Sequence, residues 1–481
     1  MKLCIKMLNN INLRNAVAIF SVATEFSFAS CQKFVQISPP STQIVTASVF
    51  NDDNAATAAL TSIYTAMQAE SWSMSQNAGL LSDELQSPSS NDAVRPYYLN
   101  ALLANSPGIL GPWVTGYNYI YQANAIIDGT KSGDKLSPAV KQQVRGEAKF
   151  IRAFWYFYLV NCYGDVPLVI STDYTINSRL SRTAKTNIYQ QIISDLKDAK
   201  DLLNSNYVDG SDTATSSERI RPNKVTASAL LARVYLFTGD YADAEIESNT
   251  ILSNDKYKLV QDLNSVFLMN SDEAIWQLGV PSPSSFNTVD GYNFILTAAP
   301  SVGDINLTAT ISSQLWNSFE PNDQRKINWI GSINTTGPDT TYYFPYKYKN
   351  NGLPVTEYTM MFRLAEQYFI HAEALARQNK NLDQAAANIN ALRERAGLGD
   401  YSGPLIKDSL LTAILHERQV ELFSEWGHRW FDLIRTGNVN VVMEIVTPQK
   451  GGYWRPEWAL FPIPQSEREI DFNLTQNDGY Q

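Results

Sequence analysis

Cysteine and histidine are scarce: the 481 residues hold three of each. Cys4, Cys31 and Cys162 cannot build a disulfide framework. His371, His416 and His428 make a metal site only if all three converge. A basic excess is missing as well. Lys and Arg number 38 against 48 Asp and Glu, a formal net charge of −10. With no surplus cation to neutralise phosphates, a nucleic-acid partner is excluded. No apolar run reaches the roughly 20 residues needed to cross a bilayer. No Gly-rich phosphate loop, Ser elbow or Cys/His zinc spacing occurs. The residues therefore call for no cofactor, no metal and no catalytic group.

What is present is ordinary globular material, 44% apolar and 18% charged, with enough chain for a large core without staples. Aromatics are plentiful: 10 Trp, and 25 Tyr against 20 Phe. Rings with a polar tip suit amphipathic surfaces. The first residues read as a processing signal. Lys2, Lys6 and Arg14 accompany an apolar stretch from Ala16 to Ala23, and Phe28-Ala29-Ser30 lead to Cys31. Residues 1–30 are expected to be a signal peptide. Cys31 in this setting resembles the lipobox cysteine of bacterial lipoproteins, whose thiol receives a diacylglycerol. Residues 31–58, polar and turn-rich around Ser38-Pro39-Pro40-Ser41, are the expected tether.

Helical periodicity dominates the rest. In residues 145–162, Phe150, Ile151, Phe154, Phe157 and Tyr158 fall at helical spacing, and Gly164-Asp165 with Pro167 end the pattern. In 225–238, Ala227, Leu230, Leu231, Val234 and Thr238 share one face. Gly239-Asp240-Tyr241 then turns the chain into a second helix carrying Ala244 and Ile251. Another hairpin spans 362–396, striped by Ala365, Phe369, Ala372 and Ala376, then by Ala385, Ile389, Leu392 and Ala396. Such pairs look like tetratricopeptide hairpins. Between 279 and 354 Pro and Gly punctuate the chain, and helical period survives only near 311–319. A second aromatic loop is read from 72 to 113. The expected fold is mostly α, one domain over 59–481: a tetratricopeptide-like helical hairpin superhelix. Its scaffold occupies 59–278 and 355–481, and a loop-rich insertion of little regular structure fills about 279–354. Loops displayed on a scaffold are where binding usually sits.

Several motifs recur in a fixed order. Gln122-Ala123-Asn124 and Ile126-Ile127-Asp128 precede Gly146-Glu147-Ala148-Lys149-Phe150-Ile151-Arg152-Ala153, then Tyr163-Gly164-Asp165-Val166-Pro167-Leu168. Later come Arg363-Leu364-Ala365-Glu366, Arg395-Ala396-Gly397-Leu398, Arg429-Trp430-Phe431-Asp432-Leu433 and Phe461-Pro462-Ile463-Pro464. Together they resemble the SusD/RagB family of surface nutrient-binding lipoproteins over nearly the whole mature chain. The resemblance implies four tetratricopeptide-like hairpins and an outer-membrane location through a lipid on Cys31. It implies an oligosaccharide or polysaccharide ligand, in some members a peptide, and a SusC-like TonB-dependent transporter as partner. It implies no enzyme activity.

Holding a sugar without cutting it takes flat apolar faces for C–H surfaces and planar polar groups for hydroxyls. Two regions offer that mixture. The early one has Trp72, Asp83, Glu84, Asn91, Arg95, Tyr97 and Tyr98; the later one has Asn287, Asp290, Tyr292, Asn293 and Phe294. In the starch-binding relatives that the resemblance points to, an acidic residue and an aromatic of the early loop face aromatics of the later one. Asp83 sits at the matching early position. Trp316, patterned with Ile311, Leu315 and Phe319, reads as core, and Trp113 as structural. Glu417, Glu421 and Glu425 recur at i, i+4 and i+8. Paired carboxylates can hydrolyse glycosides, but nearby Arg418, Arg429 and Arg435 favour a structural ion-pair ladder. Adjacent Asp83 and Glu84 point apart, a poor glycosidase pair. Peptide binding on the same architecture is the rival reading, with glycoside hydrolysis behind it.

Overall fold

The computed structural model describes residues 49–480, except 133, 282, 283, 285 and 335–340. The expected signal peptide, Cys31 and most of the tether lie outside the described residues. The tether was expected to run to residue 58, but packed structure begins earlier. Phe50 is buried on Gly129, and helix α1 (Asp53–Leu81) starts where the Asp52 carboxylate accepts the Ala55 amide at 2.9 Å. Ala56, Leu60, Ile63 and Met67 then recur at helical spacing and are all buried.

Helices α2 (Pro107–Ser132), α3 (Pro138–Tyr163), α4 (Lys185–Leu202), α5 (Lys224–Thr238) and α6 (Tyr241–Leu252) follow, each packed on the next from α2 to α6. Gly239 ends α5 at φ +82°, a left-handed turn that suits glycine, and Asp240 caps α6. The chain then leaves the solenoid and rejoins it at α7 (Leu364–Arg377), which packs against α6. Helices α8 (Leu382–Arg395), α9 (Lys407–Leu422), α10 (His428–Arg435) and α11 (Val439–Gln449) complete the scaffold. The expected hairpin superhelix is what the chain builds.

Helix α3 is its axis. Every residue from Gly146 to Tyr163 is buried, as in a helix apolar on all sides. The polar groups this places in the interior are matched. Glu147 accepts from Arg221 and from the Tyr64 hydroxyl, each at 2.6 Å, and Arg152 pairs with Asp195 at 2.6 Å. Trp276 packs edge-on against Phe150 and Phe154, with ring centroids 5.0 and 5.7 Å away.

Strands are few and paired. β1 (Leu85–Gln86) joins β3 (Thr310–Ile311), β2 (Ala274–Leu278) joins β6 (Thr359–Arg363), and β4 (Ile330–Asn334) joins β5 (Thr341–Pro345), all antiparallel. The β2–β6 pair closes the insertion at its base. Inside it lie three short helices, Val289–Phe294, Ser313–Ser318 and Gln324–Trp329, of which periodicity signalled only the second. Two expectations need correcting. Trp72 is not in a loop, because α1 runs on to Leu81, and Trp113 belongs to α2. Trp316 is only half-buried; its ring lies 4.0 Å from Tyr343 and under the Lys326 ammonium at 3.9 Å.

The three glutamates do form a ladder, but with other partners than expected. Glu417 and Glu421 end α9 and Glu425 follows it; all three turn inward. Arg363 reaches Glu421 at 2.6 Å and Glu425 at 2.8 Å, Arg325 reaches Glu417 at 2.9 Å, and Arg395 and Lys347 join them. Arg418, Arg429 and Arg435 instead pair with Asp432, Asp83 and Glu373. Glu320, Glu417 and His416 come close together at the edge of this network. Arg393 already sits on both carboxylates there, at 2.5 Å from each.

Candidate ligand cleft

The early and later loops meet over α1. Ser90 donates its amide to Val302 at 2.8 Å, Ser89 donates its hydroxyl to Asp304 at 2.7 Å, and Gln76 reaches the Ile305 carbonyl at 3.4 Å. The β1–β3 pair holds the same two segments a few residues farther on. Beneath this junction opens a cleft of about 240 Å³. Trp72, Ser73, Gln76 and Glu70 of α1 form one side, Ala93, Val94 and Ile305 of the loops a second, and Gly111, Pro112 and Thr115 of α2 a third. Its volume lies below the range that engulfs a whole drug-sized molecule, so it suits one segment of a longer chain.

Behind it sits an apolar cavity of about 20 Å³ that shares Glu70, Ser73, Asn77 and Pro112 and reaches Trp155, Tyr158 and Trp426. That is room for about one water, not for a ring. Trp72 Nε1, Gln76 Oε1 and Trp155 Nε1, buried behind the lining, lack partners among the described residues, a cost the fold carries around both spaces. Burial raises the Glu70 carboxyl to about 7. Two roomier grooves lie on the scaffold, one at Glu320 and His416, one at Glu245 and His371. Their carboxylates are already paired, Glu320 with Arg393 and Glu245 with Lys380.

The expected contact residues divide. Trp72 lies in the cleft, and Asn91 shapes its rim by accepting the Ala93 amide at 2.9 Å. Arg95 is exposed beside Val94. Tyr98 is half-buried near Lys450 rather than at the cleft. Tyr292 is exposed, its ring 5.2 Å from Phe286, on a short helix docked to α1 through Ser71 and Asp290.

Four candidates face inward instead. Tyr97 is buried, its hydroxyl donating to Gly108 at 2.8 Å, so of the two adjacent rings it took the interior side. Phe294 is core, and Asn293 is buried with its amide on Val289. Asp83 is 5% exposed and clamped by Arg429 at 2.8 and 2.7 Å. Burial pushes its carboxyl up, but the guanidinium outweighs that and holds it below the usual range. Burial, then the Asp83 charge, raises neighbouring Glu84 to about 8. Asp83→Asn is therefore expected to act on stability, lowering it by about 2–3 kcal/mol in urea titration, with ligand affinity moving little.

Glu70, Gln76 and Gly111 were not foreseen. A signal was present, because Glu70, Ser73 and Asn77 fall at i, i+3 and i+7 and mark a polar face where the other residues of 71–81, apart from Trp72, are buried.

Comparison with known proteins gives a consistent picture. The family described as "Starch-binding associating with outer membrane" matches residues 33–236, and the SusD family matches 309–480. SusD-like protein P25 of Formosa agariphila is 25% identical, over 94% of this chain and 96% of its own length. SusD-like protein P2 of the same organism is 26% identical, over 76% of this chain and 80% of its own. The starch-binding protein SusD of Bacteroides thetaiotaomicron is 23% identical, over 76% and 77%. Among solved structures, a laminarin-binding SusD-like protein superposes with a TM-score of 0.72 at 24% identity, covering 88% of this chain and 99% of that one. A SusD superfamily protein of Bacteroides vulgatus gives 0.75 at 21%, covering 90% and 100%. Two family matches, over 33–236 and 309–480, and relatives aligned across most of both chains agree with the helical solenoid and its loop-bearing insertion: in both parts this chain matches the SusD/RagB family.

Proposed function

We propose that this protein is a cell-surface glycan-binding lipoprotein, anchored to the outer membrane through Cys31. It captures oligosaccharides and hands them to a SusC-like TonB-dependent transporter. The observation that carries the reading is the meeting of two loops over Trp72, which leaves a half-buried indole beside Ser73, Asn77 and Thr115 in a cleft open to solvent. Apolar ring faces with a few convergent polar groups are what a sugar segment needs. The names of relatives that bind starch and laminarin support the ligand class. The carboxylates give no support to hydrolysis. Asp83 and the three glutamates at the end of α9 are committed to arginines and lysine in the interior. The test is affinity electrophoresis of the purified protein through plant, microbial and host polysaccharides. Retardation by at least one polysaccharide, with no reducing ends released on incubation, is the expected result. If a peptide pool binds and no glycan does, the ligand class is wrong.

A further inference from the structure

Among the described residues the cleft is lined by one ionisable carboxylate and no cation. Glu70 stands where the cleft meets the inner cavity; among the described residues its carboxyl makes no hydrogen bond and no ion pair. No described Lys, Arg or His lines either space. Arg95, next to Val94, is exposed and does not line the cleft. The other titratable groups facing this region hold their protons at neutral pH. Burial raises Tyr119 on α2, whose hydroxyl also feels the Glu70 charge, and raises Tyr158, Cys162 and Tyr163 on α3. The rest of the lining is neutral: an indole, amides, hydroxyls and apolar side chains.

From this lining, and resting on the glycan reading above, we infer that the cleft selects by charge: it accepts uncharged or amine-bearing sugar rings and rejects carboxylated or sulfated ones, with Glu70 as the discriminating residue. The physical reason is one-sided. A neutral ring meets the indole face and finds Ser73 and Asn77 as hydrogen-bonding partners for its hydroxyls. An anionic ring meets no counter-charge and lies beside an uncompensated carboxylate in a partly desolvated site, where like charges repel strongly. Lowering the pH through about 7 protonates Glu70 and relaxes the rejection, while uronate and sulfate groups stay ionised.

The test uses a polysaccharide that retards the wild-type protein, derivatised to equal extent with hydroxyethyl groups (neutral) or carboxymethyl groups (anionic). At pH 8.5 the wild type should bind the hydroxyethyl form at least about tenfold more tightly than the carboxymethyl form. Glu70→Gln should shrink that ratio to within about threefold, and moving the wild type to pH 5.5 should do the same. If the two derivatives bind wild type equally while Gly111→Phe, which fills the cleft, weakens both, the cleft is the site and charge selection is wrong. Selection is also wrong if the native ligand found in the panel is itself an acidic polysaccharide. If no polysaccharide binds, the glycan reading fails first.

Discussion

Replacing Glu421 by Gln is expected to cost about 3–5 kcal/mol, the largest loss from any single polar substitution in the scaffold. Its carboxylate serves Arg363 at 2.6 Å, Arg325 at 3.3 Å and Arg395, and all four residues are buried. Glutamine keeps the shape and removes the charge, which leaves three guanidinium groups facing one another with Glu273, Asp323, Glu417 and Glu425 as remaining counter-ions. Stranded buried charge costs far more than the intact pair contributes, so the sign is not in doubt. Glu444→Gln, exposed on α11, is the control and should move stability by less than about 0.5 kcal/mol. Urea titration measures both, with a shifted midpoint and an unchanged slope.

The same residue sets an acid limit. Burial alone would raise the Glu421 carboxyl, but Arg395, Arg363 and Arg325 hold it well below the usual carboxylate range. Its folded value lies below its unfolded one, so the unfolded chain binds more protons as pH falls, and stability present above about pH 4 drains away below it. Glu425, Glu373 and Asp432 carry the same sign, each buried and each held down by arginines. Glu84 and Asp290, raised by burial to about 8 and 7, act oppositely, but their contribution is already complete below about pH 4. Stability should therefore fall steeply with acid, and Glu421→Gln should flatten part of that fall. An equally steep acid limb in the variant contradicts the assignment.

The scaffold was legible because helical stripes of Phe, Leu and Ala need no knowledge of distant contacts. Residues 225–238 and 364–377 show this, since their apolar stripes mark helices that the structure buries on nearly every side. The end of α1 was not legible, because Ser71, Ser75 and Gln76 break its apolar period, and what buries them comes from far away: Asp290, Trp426 and the loop at 305. Asp83 fails for a related reason. An aspartate in a polar stretch looks solvated until Arg429, 346 positions later, arrives to clamp it. The glutamate ladder was legible as a structural device but not in its partners. Arg325, Arg363 and Arg395 lie 26 to 96 positions from Glu421, on elements whose docking the spacing of α9 cannot encode. Cleft residues inherit this difficulty, since Ile305 and Trp72 meet only because the insertion folds back over α1.

If the cleft is the binding site, two substitutions of opposite kind should both remove binding. Trp72→Ala takes away the central aromatic face, and truncating such an anchor typically costs about 2 kcal/mol or more, roughly 30-fold in affinity. The indole also packs against the core, so this variant is expected to lose some stability too. Gly111→Phe separates the two effects. A Cβ at Gly111 meets no protein atom within 4 Å apart from its chain neighbours, and Gly111 lines the cleft, so a substituent there starts in the cleft's open space. Replacing Gly111 removes an unfavourable helix glycine but sets a Cβ against the Pro112 ring, so the two effects oppose and stability should change by about 1 kcal/mol or less. Binding of a polysaccharide that retards the wild type should nonetheless fall at least tenfold, read by affinity electrophoresis alongside thermal melting. Lost affinity with a melting temperature close to the wild type's marks the cleft as the site. Normal binding by Gly111→Phe, together with loss in Tyr292→Ala, moves the ligand to the exposed Phe286–Tyr292 pair and overturns the assignment.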